Sequence, residues 1–263
     1  MRSYLSYSQL ALYLQCPLKY KLVYIDEIER ERDGMPAALA FGRAIHRALA
    51  RFYTDVMDQE PFNLDRFLAA FRDAWEDEAE GKEIIYNEGE DFNSLLEQGK
   101  AMLRVFARSV RPQRVIAVEV PFEFRLEHPQ TGKEFPIPIK GVIDLVEEDE
   151  QGTLWVVDHK TAGRAFSEAQ VAGDLQLLIY AAAVMHLDVA EGKDVLLRLD
   201  VLLKGKKPRF LRYCTERTEQ DIARLFEIVD GVWRAIEAEA FYPRCCISTW
   251  FGVPHEECRD HVA

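Results

Sequence analysis

Apolar residues along this chain first repeat with a helical period and then with a strand period. From Ser6 to Tyr24, Leu10, Leu14, Leu18 and Leu22 recur every four residues, which predicts a helix capped by Ser6 or Ser8. Pro17 removes a backbone donor and predicts a break just after Cys16. Asp26 to Pro36 reads as a charged connection. Ala37 to Val56 carries an apolar stripe of Phe41, Ile45, Ala48, Leu49, Phe52 and Val56, with His46 beside it. Asn63 to Glu78 and Phe92 to Val110 read as two further amphipathic helices, separated by a loop from Gly81 to Asp91.

The pattern then changes to strands. Val115 to Phe124, Ile137 to Val146 and Leu154 to Lys160 are strand-like, and Asp149-Glu150-Gln151-Gly152 joins the last two as a hairpin. Glu168 to His186 predicts a helix that buries Leu175, Leu178, Ile179 and Ala182. Asp194 to Leu203 and Arg209 to Cys214 form a second hairpin, and Thr218 to Ala240 a long helix capped by Thr218 or Thr215. This order predicts the α/β class, with a central mixed β-sheet flanked by helices and a helical N-terminal part. One domain is expected over 1–263: a mostly helical 1–111, a sheet core at 112–214, and a C-terminal helix with a cysteine-containing tail at 215–263.

Composition narrows the function classes. The 263 residues are 48% hydrophobic and 30% charged, as in an ordinary soluble enzyme. No apolar run approaches the roughly 20 residues of a membrane helix, and the first residues lack a secretory core. A cytoplasmic protein with no membrane partner is the expectation. The net charge of −12 argues against nucleic acid coating the whole surface, but leaves room for a local basic groove. The densest basic run is Lys204-Gly205-Lys206-Lys207-Pro208-Arg209, and a solvated turn explains it equally well.

The candidate chemistry lies at the ends of two strands. In a strand, Asp158 and Lys160 point to one face roughly 7 Å apart, and His159 points to the other. If Gly141-Val142-Ile143-Asp144 pairs with that strand, Asp144 converges on the same spot. Two carboxylates and an ammonium are costly to cluster for packing alone, and they suit a hard divalent cation and a developing oxyanion. A surface salt bridge is the plain alternative for so short a pattern. Downstream, Gln176 and Tyr180 are four apart and share a helix face.

Taken in order, these residues resemble the RecB-type branch of the PD-(D/E)XK nuclease superfamily, which includes AddB-type and CRISPR-associated exonucleases. The resemblance runs through Cys16-Pro17-Leu18-Lys19-Tyr20, Gly42-x-x-x-His46, Glu119 and Gly141-x-x-Asp144. It continues through Asp158-x-Lys160-Thr161, Gln176-x-x-x-Tyr180, Thr218-Glu219-x-Asp221 and Phe241-Tyr242-Pro243. It implies a restriction-endonuclease-like core and a metal-dependent DNA nuclease acting on single strands or DNA ends. His46, Asp144 and Asp158 would hold Mg²⁺ or Mn²⁺, with Glu119 close by or binding through water. Lys160 would orient or activate the attacking water. Gln176 and Tyr180 would shape the site and touch the DNA strand, and Arg43, Arg47 and Arg51 could track phosphates. A separate helicase, or a recombination or CRISPR subunit, is the partner implied.

The chain has five cysteines, which in a cytosolic protein do not suggest a disulfide framework. Family members with Cys16-Pro17 often hold an iron–sulfur cluster through that cysteine and three near the C-terminus. Here Cys245 and Cys246 are adjacent and Cys258 stands apart, so a 4Fe-4S cluster on Cys16, Cys245, Cys246 and Cys258, zinc, or no metal all remain open. Cys214 reads as a buried strand thiol. Two rival functions stand beside the nuclease. One is a non-cleaving DNA-end-binding or assembly subunit; the other is an unrelated metal hydrolase of small phosphoesters.

Overall fold

The structure, a computed structural model, describes residues 3–27, 34–187, 190 and 192–244. Two compact units interleave along the chain. One comprises 1–30, 122–141 and 217–263, and the other 31–121 and 142–216.

The first unit begins with α1 (Tyr7–Gln15), capped by the Ser6 hydroxyl, which accepts from the Gln9 N–H. Cys16 ends it, and Pro17 opens α2 (Pro17–Tyr20), where its missing N–H costs nothing. A short π-helical turn, Lys21–Ile25, follows. The expected break after Cys16 is therefore present. Tyr13 meets Tyr20 edge-on at 5.4 Å and Phe241 at 6.4 Å, and its hydroxyl donates to the Ala240 carbonyl at 2.8 Å. The Cys16-Pro17 segment thus packs on the Phe241-Tyr242 segment from the far end of the sequence.

The second unit starts with β1 (Met35–Pro36), then α3 (Ala37–Met57) and α4 (Leu64–Ala79). β2 (Ile84–Ile85) pairs with β1 in parallel, and α5 (Phe92–Ser109) follows. The apolar faces of α3, α4 and α5 meet around Phe41, Phe52, Phe71, Trp75 and Phe106, all buried. Gly99 on α5 allows the close approach: a Cβ there would stand 2.1 Å from Phe71 Cζ.

Next come β3 (Arg114–Phe124), β4 (Ile139–Glu148) and β5 (Leu154–Ala162), then α6 (Glu168–Ala172) and α7 (Leu175–Val184). β6 (Val195–Leu203) and β7 (Arg209–Thr215) complete a five-stranded sheet of order β3-β4-β5-β6-β7. β4 and β5 are antiparallel, β5 and β6 parallel, and β6 and β7 antiparallel, so the sheet is mixed as expected. The unit boundaries cut β3 and β4. α8 (Glu219–Glu237) belongs to the first unit, with Thr218 rather than Thr215 as its cap.

One expected helix is two. Glu168 to His186 breaks at Gly173 and Asp174, because the Asp174 side chain accepts from the Leu177 N–H and starts α7 afresh. Leu175, expected to be buried, lies at that new N-terminus and is only half-buried, whereas Leu178, Ile179 and Ala182 are buried. Cys214, expected to be buried, is exposed on β7, facing away from the core.

Candidate active site

The site forms where β4 and β5 separate. Their ladder runs from Glu148↔Leu154 to Leu145↔Val157. Just past that rung, the Asp144 side chain takes over: its Oδ2 accepts the His159 backbone N–H at 2.8 Å. The same oxygen lies 3.4 Å from His46 Nδ1 on α3 and 3.7 Å from His159 Nδ1.

Asp158 and Lys160 project together from β5, as alternation requires. Lys160 Nζ lies 2.9 Å from Asp158 Oδ2 and donates to Oδ1 at 3.2 Å. Oδ2 is within ion-pair distance but off the hydrogen-bond direction, which leaves that buried oxygen short of a donor. From α7, Gln176 Oε1 accepts from Lys160 Nζ at 2.5 Å. Gln176 Nε2 then donates to the Tyr180 hydroxyl at 2.9 Å, and that hydroxyl donates to the Val142 carbonyl at 2.6 Å. A hydrogen-bonded chain therefore runs from β4 through α7 to the lysine on β5, holding the ammonium over Asp158. Gln176 and Tyr180, expected to shape the site and to touch DNA, are both members of this hydrogen-bonded chain. Tyr180 is buried.

Electrostatics separate the two acids. Burial raises the Asp144 carboxyl, but hydrogen bonds from His159 and His46 overcome it and hold the group well below the usual carboxylate range. Asp158, wholly buried, is pushed up to about 6, mainly by desolvation, with Lys160 opposing and Asp144 adding to the rise. Burial works to lower the His46 imidazole, yet the Asp144 hydrogen bond and the charges of Asp144 and Asp158 raise it overall. Desolvation, then the Asp144 and Asp158 charges, raise Tyr180.

Glu119 reaches the same electrostatic neighbourhood by a backbone irregularity. Its φ of 51° places it in the left-handed region within β3, a bulge-like kink that re-aims one side chain. Its carboxyl is raised first by partial desolvation and then by the Asp144 charge. Arg43, Arg47 and Arg51 lie exposed on α3, but each faces an acid: Glu78 at 3.7 Å, Asp77 at 2.7 Å and Asp55 at 2.8 Å.

His159 is the residue that the sequence does not single out. Strand alternation puts it on the opposite face, and its ring does lie there, 5.6 Å from Tyr53 and 6.5 Å from Phe106. Its backbone N–H nevertheless fixes Asp144, a role that no residue type announces.

A metal fits the donor set in kind: two carboxylates and an imidazole, with a buried Asp158 oxygen short of a donor. Among the described residues no group of three His, Cys, Asp or Glu side chains is arranged to hold a metal ion: Asp144 faces the two histidines and Asp158 faces Lys160. Of the cysteine set, Cys16 is buried, and Cys245, Cys246 and Cys258 lie outside the described residues.

A family model for the PD-(D/E)XK nuclease superfamily matches residues 4–246. The chain belongs to that superfamily. Within it, the matches agree with the RecB-type branch that the motif order indicates. The chain is 24% identical over 190 residues to one component of the ATP-dependent helicase/deoxyribonuclease of Streptococcus pyogenes serotype M1, and 25% identical over 190 residues to its counterpart from serotype M6. These matches cover 70% of this chain and only 16% of each relative's length. A crystal structure from Eubacterium rectale, described as that of a provisional exonuclease, shares the fold with a TM-score of 0.55 at 14% identity. That likeness covers 99% of this chain and 93% of the other. No helix among the described residues is long and apolar enough to cross a membrane.

Proposed function

We propose that this chain is a divalent-metal-dependent deoxyribonuclease that hydrolyses phosphodiester bonds as an exonuclease, on single-stranded DNA or at DNA ends. The observation that carries the reading is that two pairs, Asp144 with His46 and Asp158 with Lys160, lie at the end of the β4–β5 ladder where the two strands part. His46, Asp144 and Asp158 would hold Mg²⁺ or Mn²⁺, with Glu119 beside them. The cation, when bound, would offset charge on the nonbridging phosphate oxygens. Imidazole among the donors favours Mn²⁺ over Mg²⁺.

The protein's own residues supply the rest. Lys160, held by Asp158 and Gln176, presents an ammonium to the attacking water and to the charge that builds on the phosphate. Despite its burial, the Asp144 carboxyl is held low by hydrogen bonds from His159 and His46, which favours the ionised form that binds a cation. Both acids and the lysine are present together, which favours cleavage over a non-cleaving end-binding subunit. The relatives' names couple a helicase with a deoxyribonuclease, which supports a helicase as a partner; a recombination or CRISPR subunit rests on the motif resemblance alone. A 4Fe-4S cluster or zinc on the cysteines stays a proposal that anaerobic absorbance and metal analysis would decide.

Labelled single- and double-stranded DNA incubated with Mg²⁺ or Mn²⁺ tests the reading. Metal-dependent shortening that disappears in Asp158→Ala supports it. Binding without turnover under any divalent ion contradicts it.

A further inference from the structure

The basic turn between β6 and β7 is the feature that the site has not absorbed. The β5–β6 register places it at the active end of the sheet. Lys160 lies opposite Val201 and Ala162 opposite Leu203, and the Lys204 N–H donates to the Ala162 carbonyl at 2.8 Å. The turn therefore leaves the sheet about two residues, roughly 7 Å, beyond the level of Lys160.

The turn is also fastened to the helix that carries His46. Lys204 Nζ sits 4.3 Å from the centroid of the Phe41 ring, a cation–π contact. Phe41 is fully buried on α3, five residues before His46. Burial lowers the Lys204 ammonium from its ordinary value, so an anion at this place would be welcome.

Charge accounting separates this turn from the arginines of α3. Arg43, Arg47 and Arg51 each face an acid. Lys206, Lys207 and Arg209 are exposed, and among the described residues none has a carboxylate within ion-pair distance. Four cations fall within six residues of a chain whose net charge is −12. Their mutual repulsion opposes folding of the turn, and a row of phosphates would relieve it.

We propose that the turn from Lys204 to Arg209 is a docking strip for the backbone phosphates of the DNA strand held at the Asp144–Asp158–Lys160 site. Such contacts are sequence-independent, because backbone phosphates carry no base information. The strip rests on the nuclease reading above and extends it to the path of the strand.

The test uses the full chain carrying Lys206→Gln, Lys207→Gln and Arg209→Gln together, none of them in the catalytic machinery. Binding of a labelled single-stranded oligonucleotide is measured in Ca²⁺ over a range of salt. Loss of three phosphate contacts should weaken binding about 10–100-fold and reduce the salt slope by about two. KM should rise with kcat within about twofold, and the charge-keeping variant Lys206→Arg, Lys207→Arg, Arg209→Lys should restore binding. If the wild type binds DNA and the triple glutamine variant matches it in affinity and slope, the docking strip is wrong and the nuclease reading stands. If the wild type neither binds nor cuts DNA, both fall.

Discussion

Asp144 Oδ2 accepts the backbone N–H of His159 at 2.8 Å, just past the last rung of the β4–β5 ladder. A side chain thus stands in for a strand carbonyl, and the strands can part without orphaning a buried donor. That substitution opens the gap into which α3 brings His46 and β5 brings Asp158 and Lys160.

The first prediction separates this structural duty from catalysis. Asp144→Asn keeps an acceptor for the His159 N–H and should hold the melting temperature within a few degrees while lowering cleavage at least about 100-fold. Asp144→Ala leaves the donor unpaired and should cost a further 1–3 kcal/mol or so of stability. Equal melting temperatures for the two variants would deny the bond its structural part.

Asp158 gives a prediction with a definite sign in pH. Its folded pKa, pushed up to about 6, lies above the 3.8 of the free group, so the folded state binds the proton more tightly. Its contribution to stability is fully present below about pH 4 and is lost as pH rises through 6. In EDTA at pH 7.5, Asp158→Asn should therefore melt a few degrees higher than the wild type. Mn²⁺ should raise the wild type and move the variant less. A variant that melts lower in EDTA would show that Lys160 outweighs the burial cost.

A second buried charge cluster lies on the opposite face of the sheet, where the strand alternation places it. Arg198 and Asp200 on β6 are 3% and 1% exposed. Arg198 pairs with Glu147 at 2.5 Å and lies 3.2 Å from Asp200, which also receives a two-pronged pair from Arg212 at 2.9 Å on both arms. Asp200→Ala should cost about 3–5 kcal/mol in chemical denaturation, because it leaves arginine charge buried and short of its partner. A cost under about 1 kcal/mol would mean that the cluster is solvated.

Two glycines sit in close packing, and one of them carries a prediction. A Cβ on Gly99 would overlap the Phe71 ring, and one on Gly141 would stand 2.5 Å from Phe122 Cζ. Gly99→Ala should destabilise by about 1–3 kcal/mol despite the better helix propensity of alanine. A gain in stability would mean that Phe71 can move aside freely.

The fold was legible wherever period was clear. Phe41, Ile45 and Phe52 mark α3, and the change to alternation near Val115 marks the sheet. The break at Gly173-Asp174 was hidden, because a helix cap inside an apolar run depends on one aspartate turning back on its own backbone. For the site, Asp144, Asp158, Lys160 and His46 were readable from order and spacing. His159 was not, because strand alternation points it away from Asp158 and Lys160, while its backbone N–H and its ring nitrogen both reach Asp144. Nor was the Arg198–Asp200 cluster, since buried charges inside a strand become intelligible only once Glu147 and Arg212 are seen across neighbouring strands. That Gly141 meets Phe122 also gives the glycine of the Gly141-x-x-Asp144 motif a packing reason.

Single-turnover cleavage of a labelled single-stranded oligonucleotide, with saturating Mn²⁺, by the wild type and by Lys160→Ala tests the central claim most directly. The account predicts metal-dependent cleavage by the wild type and a rate at least about 100-fold lower in the variant, measured below the variant's melting temperature and with DNA binding retained. Equal rates for the two proteins would contradict it.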